Sequence, residues 1–164
     1  MTSQGEALVS ELKWVHGLIR RDLQSVERLA AELGAGGPAG DAVATVRSLE
    51  IASPVWQLKI NCLQYCRFVH LHHHGESAML FPRLRESDPA LGPVVDKLQA
   101  DHDAVSVLLD DVSAAAQELA DSDDADGRAR LIAALTELAA VLLTHLDYEE
   151  ASISATLRTW DGWW

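Results

Sequence analysis

His72 and Glu76 stand four residues apart, and His145 and Glu149 repeat that spacing further along the chain. On a helix this separation brings two side chains onto one face. In both places the face is apolar. Tyr65, Phe68, Val69, Met79 and Leu80 surround the first pair, and the second lies on a stripe with Leu131, Leu135, Leu138 and Leu142. Two more histidines sit singly on apolar stripes: His16 follows Leu12, and His102 follows Leu98 and precedes Val105 and Leu109. A lone histidine on such a face is ordinarily a core residue with one hydrogen bond. A buried carboxylate is different, because it costs several kcal/mol unless it is paired or bound to a cation. No Lys or Arg occupies a matching core position. Two carboxylates able to bridge, flanked by imidazoles, suit a dinuclear iron site better than zinc, which prefers thiolates in structural sites and needs three protein ligands in catalytic ones. The other di-iron pattern, Glu-x-x-His on two helices, is absent at these core positions.

Four elements must hold these residues, and the apolar periodicity predicts helices over about 6–33, 54–80, 93–119 and 128–157. Gly34 and the Gly/Pro-rich run after it end the first helix. Asp41 could cap a short additional helix over 42–52. Ser53-Pro54 opens the second long helix as N-cap and first helical residue, and Pro82 limits its extension. The acidic run Asp121–Asp126 suits the start of the fourth helix. A tail over 158–164, with Trp160, Trp163 and Trp164, follows. No alternating strand pattern is present, so the chain reads as all-α, a single domain over 1–164. Short connections favour antiparallel neighbours and an up-down-up-down four-helix bundle.

In that arrangement, distances from the starts of helices one and three match distances from the ends of helices two and four. His16 lies ten residues after Glu6 and His102 nine after Pro93, while His72 lies eight before Leu80 and His145 twelve before Leu157. At about 1.5 Å per residue, the four histidines share a layer to within about one turn. Independent core histidines have no reason to do so.

Composition narrows the partners. The net charge is −12 and the basic residues are scattered, which disfavours nucleic acid and anionic membranes. No run approaches eighteen uninterrupted apolar residues, and Met1–Glu11 lacks a basic-then-apolar leader pattern. Cys62 and Cys66, four apart on one helix, read as reduced thiols rather than a disulfide. A cytoplasmic protein is the expectation.

With one histidine on each of the first and third helices and His-x-x-x-Glu on the second and fourth, the sequence resembles the hemerythrin-like (HHE cation-binding) family, bacterial single-domain type. The flanks agree, with His72-His73-x-x-Glu76 leading into Leu80-Phe81-Pro82, and His145-Leu146 leading into Glu149-Glu150. The resemblance implies two iron ions, oxo- or hydroxo-bridged, held by His16, His72, Glu76, His102, His145 and Glu149. Glu150 is the alternative fourth-helix carboxylate, and Glu149 is favoured. The chain departs from oxygen-carrying members at Ser106, where they place a second histidine on the third helix. Tyr65 or His73 could supply the missing ligand, and His70 and His74 lie on another face. The implied activity is binding, and turnover, of a small diatomic or peroxide ligand (oxygen, nitric oxide or hydrogen peroxide). The alternative is a non-catalytic oxygen or iron binder or sensor.

Overall fold

The structure, a computed structural model, describes residues 3–35 and 53–162. The short helix expected over 42–52, Trp163 and Trp164 lie outside the described residues. Among the described residues five α-helices follow in order: α1 (Gln4–Gly34), α2 (Pro54–Gly75), α3 (Phe81–Ser87), α4 (Gly92–Asp121) and α5 (Ala125–Leu157). The long helices α1, α2, α4 and α5 form a four-helix bundle in which α1 and α4 each pack between α2 and α5. Contacts along the seams run in opposite directions. Ile19 meets Tyr65 while His16 meets His72, and Leu33 meets Arg128 while Glu6 meets Arg158. The same holds on the far side, where Ser77 meets His102 and His70 meets Asp110. Neighbouring helices are therefore antiparallel, as the short connections predict.

Local chemistry sets the helix starts. The side chains of Ser3, Ser53 and Asp124 accept from the N–H groups of Glu6, Trp56 and Gly127 respectively, satisfying donors that the first helical turn leaves free. Ser53-Pro54 behaves as the sequence predicts.

The second helix does not end near Leu80. A π turn, Glu76–Leu80, links α2 to α3, and the N–H of Phe81 bonds the carbonyl of Glu76 five residues back. Pro82 explains this. It has no N–H, and in an unbroken α-helix its ring would press on the carbonyl four residues earlier. The widened turn shifts the register ahead of it, so Pro82 falls in the first turn of α3, where it is tolerated. A π turn also alters which residues face the core, and this one begins at Glu76.

Two apolar clusters fill the bundle. One contains Ile19, Val69, Val105 and Leu142, the other Leu12, Leu80, Leu98 and Ile153. On each long helix a histidine falls between the two, so a polar layer divides the core. Trp160 folds back onto the second cluster. Its indole N–H donates to Ser87 Oγ at 3.1 Å, and the Arg83 guanidinium lies 4.2 Å over its ring. The end of α5 passes close to α1 because Gly5 has no side chain there. A Cβ at that position would stand 2.3 Å from the Arg158 carbonyl oxygen.

By length and composition α5 could cross a membrane. Here its apolar face packs in the core together with buried His145 and Glu149.

Candidate metal centre

Each long helix delivers its ligand-type residues to the layer between the two apolar clusters. His16, His73, Glu76, His102, His145 and Glu149 are all buried, and the His72 side chain is 13% exposed. Their donor atoms form two groups. In the first, one atom from each of His73, Glu76, His102 and His145 lies within 4.8 Å of the others, and in the second the same holds for His16, His72 and Glu76. Glu76 belongs to both. Its Oε1 lies 2.6 Å from His72 Nε2 and 3.7 Å from His16 Nε2, and its Oε2 lies 3.2 Å from His102 Nε2. Glu149 spans the groups differently, through one oxygen. Oε2 is 3.5 Å from His16 Nε2 and 3.6 Å from His145 Nε2.

Polar partners outside the cluster turn the imidazoles inward. Glu150 Oε1 holds His16 Nδ1 at 3.0 Å, Asp101 Oδ2 holds His145 Nδ1 at 3.3 Å, and Ser77 Oγ holds His102 Nδ1 at 2.9 Å. When Nδ1 carries the proton that binds these groups, Nε2 presents a lone pair to the centre. Surface cations close both carboxylate relays. Arg20 Nη1 donates to Glu150 at 2.9 Å, and Lys97 Nζ donates to Asp101 at 2.7 Å.

Without a cation this layer is poorly satisfied. Nε2 of His16, His72 and His73 and all four carboxylate oxygens of Glu76 and Glu149 are buried with no well-aligned hydrogen-bond partner. The 2.6 Å approach of His72 to Glu76 is close but misdirected for a hydrogen bond. His102 Nε2 and His145 Nε2 face each other at 3.1 Å, where two lone pairs would repel. Buried polar atoms are almost always paired, so this concentration of inward-facing acceptors fits a site built for cations.

The electrostatics agree. Burial tends to raise the carboxyl of Glu76, but the imidazoles of His102, His16 and His72 outweigh it and hold the group well below the usual carboxylate range. Burial, and then the charge on Glu76, hold Glu149 well above that range. Burial, followed by the neighbouring His102, lowers His73 to about 2 and His145 to about 4.

These shifts predict that metal-stripped protein loses stability on mild acidification. Below about pH 6.5 the unfolded chain protonates both histidines, and the folded chain does not. Glu149 acts in the opposite sense, since the folded chain keeps a proton that the unfolded chain releases above about pH 4.5. Between these limits the unfolded state holds a net excess of one proton, so stability falls by about 1.4 kcal/mol per unit of acidification. Urea titrations should therefore find stability falling as pH drops from about 6.5 toward 4.5, and stability that stays flat or rises over that window would contradict these assignments.

The layer contains His16, His72, Glu76, His102, His145 and Glu149, as the sequence suggests. Glu149 points into it, whereas Glu150 backs His16. Of the two residues considered for the position that Ser106 leaves open, His73 is brought in, stacking on His102 with ring centroids 3.9 Å apart. Tyr65 is not. Its hydroxyl donates to the Ile19 carbonyl, and burial raises its phenol far above the ordinary value. His70 pairs instead with Asp110 on the surface. Sequence reasoning missed Ser77 and Asp101. Each adjoins a candidate ligand, but only the packing of neighbouring helices shows where they reach.

The family model for the hemerythrin HHE cation binding domain matches residues 8–157. Comparisons with curated proteins and with solved structures found no match.

Proposed function

Because the chain belongs to the hemerythrin HHE cation-binding domain family, we propose that its buried layer is a non-haem di-iron centre that binds and turns over small oxidants. The observation that carries this reading is the division of Glu76, which offers one oxygen to each histidine group. A carboxylate so placed suits two cations better than one. His73, His102 and His145 would hold one ion, and His16 and His72 the other. Glu76 and Glu149 would lie between them and offset their charge. In this reading His73 supplies the imidazole that Ser106 does not.

A bound iron pair supplies two adjacent one-electron redox steps. The protein's own contribution is orientation and exclusion. Glu150, Asp101 and Ser77 fix three of the imidazole rings. The Leu, Val and Ile clusters shield the layer from water above and below. Two imidazoles against three leaves the His16–His72 side with fewer protein donors, so a small ligand would bind there.

Protein loaded with ferrous iron should consume hydrogen peroxide over many turnovers, followed by oxygen electrode and peroxide assay. The His72→Ala variant should lose at least about 90% of that rate, a rise of roughly 1.4 kcal/mol or more in activation free energy. Reversible spectral change with oxygen and no turnover would replace this reading with that of an oxygen-binding or sensing protein.

A further inference from the structure

A groove between α1 and the end of α2 with its following π turn leads down to one side of this layer. Leu8, Leu12 and Val15 form one wall, Leu71 and Met79 the other, and His72 and Glu76 the floor. The cavity measures about 440 Å³. Hydrogen peroxide or a diatomic needs little more than the ~30 Å³ share of a water molecule, so the groove is more than ten times larger than such ligands require. It lies within the range of sites that hold small organic molecules. Leu71 and Met79 are 61% and 52% exposed, which keeps an apolar mouth open to solvent. At the floor Glu76 is only 6% exposed and its oxygens have no well-aligned hydrogen-bond partner. Glu11 stands among the lining residues of a chain with net charge −12, so an anionic head would be repelled.

We propose that the groove receives the apolar tail of a neutral organic hydroperoxide, with the hydroperoxyl end directed at His72 and Glu76. This rests on the redox reading above. Reduction breaks the O–O bond and yields an alcohol and water. It consumes two protons from solvent and two electrons, one from each ferrous ion of the proposed centre.

The product alcohol of cumene hydroperoxide, 2-phenyl-2-propanol, tests the groove without turnover. Calorimetry on the iron-loaded protein should give a Kd below about 1 mM. Leu71→Trp, which fills the mouth, should weaken binding at least about tenfold, whereas Val107→Trp, equally exposed on α4, should not. In a single turnover, di-ferrous protein should convert one equivalent of the hydroperoxide to alcohol. Alcohol that fails to bind iron-loaded, peroxide-consuming protein would overturn the groove alone. Alcohol binding to protein that takes up no iron would overturn the redox reading and the hydroperoxide assignment with it. A concentration-dependent dimer that excludes the alcohol would give the groove to a second copy of the chain and also overturn the proposal.

Discussion

Glu76→Ala should reduce metal affinity by roughly a hundredfold or more, equivalent to about 2.7 kcal/mol, and lower the metal content of purified protein accordingly. The size follows from its position. Replacing a group that merely supports a ligand typically costs 10- to 100-fold, and Glu76 faces His72, His16 and His102 directly. Alanine removes both oxygens, and with them a neighbour from each histidine group. Metal content after gel filtration, with circular dichroism as a check on folding, measures the effect. Glu86→Ala, on an exposed residue of α3, should behave as wild type. Equal metal content in wild type and Glu76→Ala would remove the residue from the site.

The second large effect is an exchange in the order of stability. Glu149 is fully buried, and its oxygens lack hydrogen-bond partners. In metal-stripped protein it is therefore a cost. A buried polar group left without a hydrogen-bond partner costs about 1–3 kcal/mol, so stripped Glu149→Leu, with an apolar side chain of similar volume, should unfold at higher urea than stripped wild type. Metal reverses this. At a hundredfold excess over Kd, a bound ion adds about 2.7 kcal/mol to the folded state that holds it, and Glu149→Leu gains little because it has lost one of the two shared carboxylates. Wild type should then be the more stable of the two. Paired urea titrations with chelator and with ferrous iron test this directly. A variant less stable than wild type under both conditions would make Glu149 a structural residue.

Much of this was legible in the sequence because two signals coincided. Apolar periodicity marked the four long helices, and the same periodicity placed His16, His72, His102 and His145 on the inward stripes. Equal heights in antiparallel helices then followed from a rise of about 1.5 Å per residue. Glu149 was preferred over Glu150 because it stands one turn from His145, and the structure turns it inward.

What the sequence left open depended on departures from regular helix or on contacts between helices. His72 and His73 lie four and three residues before Glu76, and both spacings fall on one helix face, so spacing along α2 did not decide between them; the packed bundle brings both into the layer. Pro82 was read as a stop, but it marks a change of register. Tyr65 shares the buried face of α2, yet its hydroxyl points to the α1 backbone. Ser77 and Asp101 reach their histidines across helix seams, which no spacing along one helix encodes.

The di-iron reading is tested most directly by metal analysis and an optical spectrum on one aerobic preparation of the full chain. Five imidazoles converging around two shared carboxylates predict close to two irons per chain, with the near-ultraviolet charge-transfer bands of a ferric pair. One zinc per chain with no such bands would contradict it.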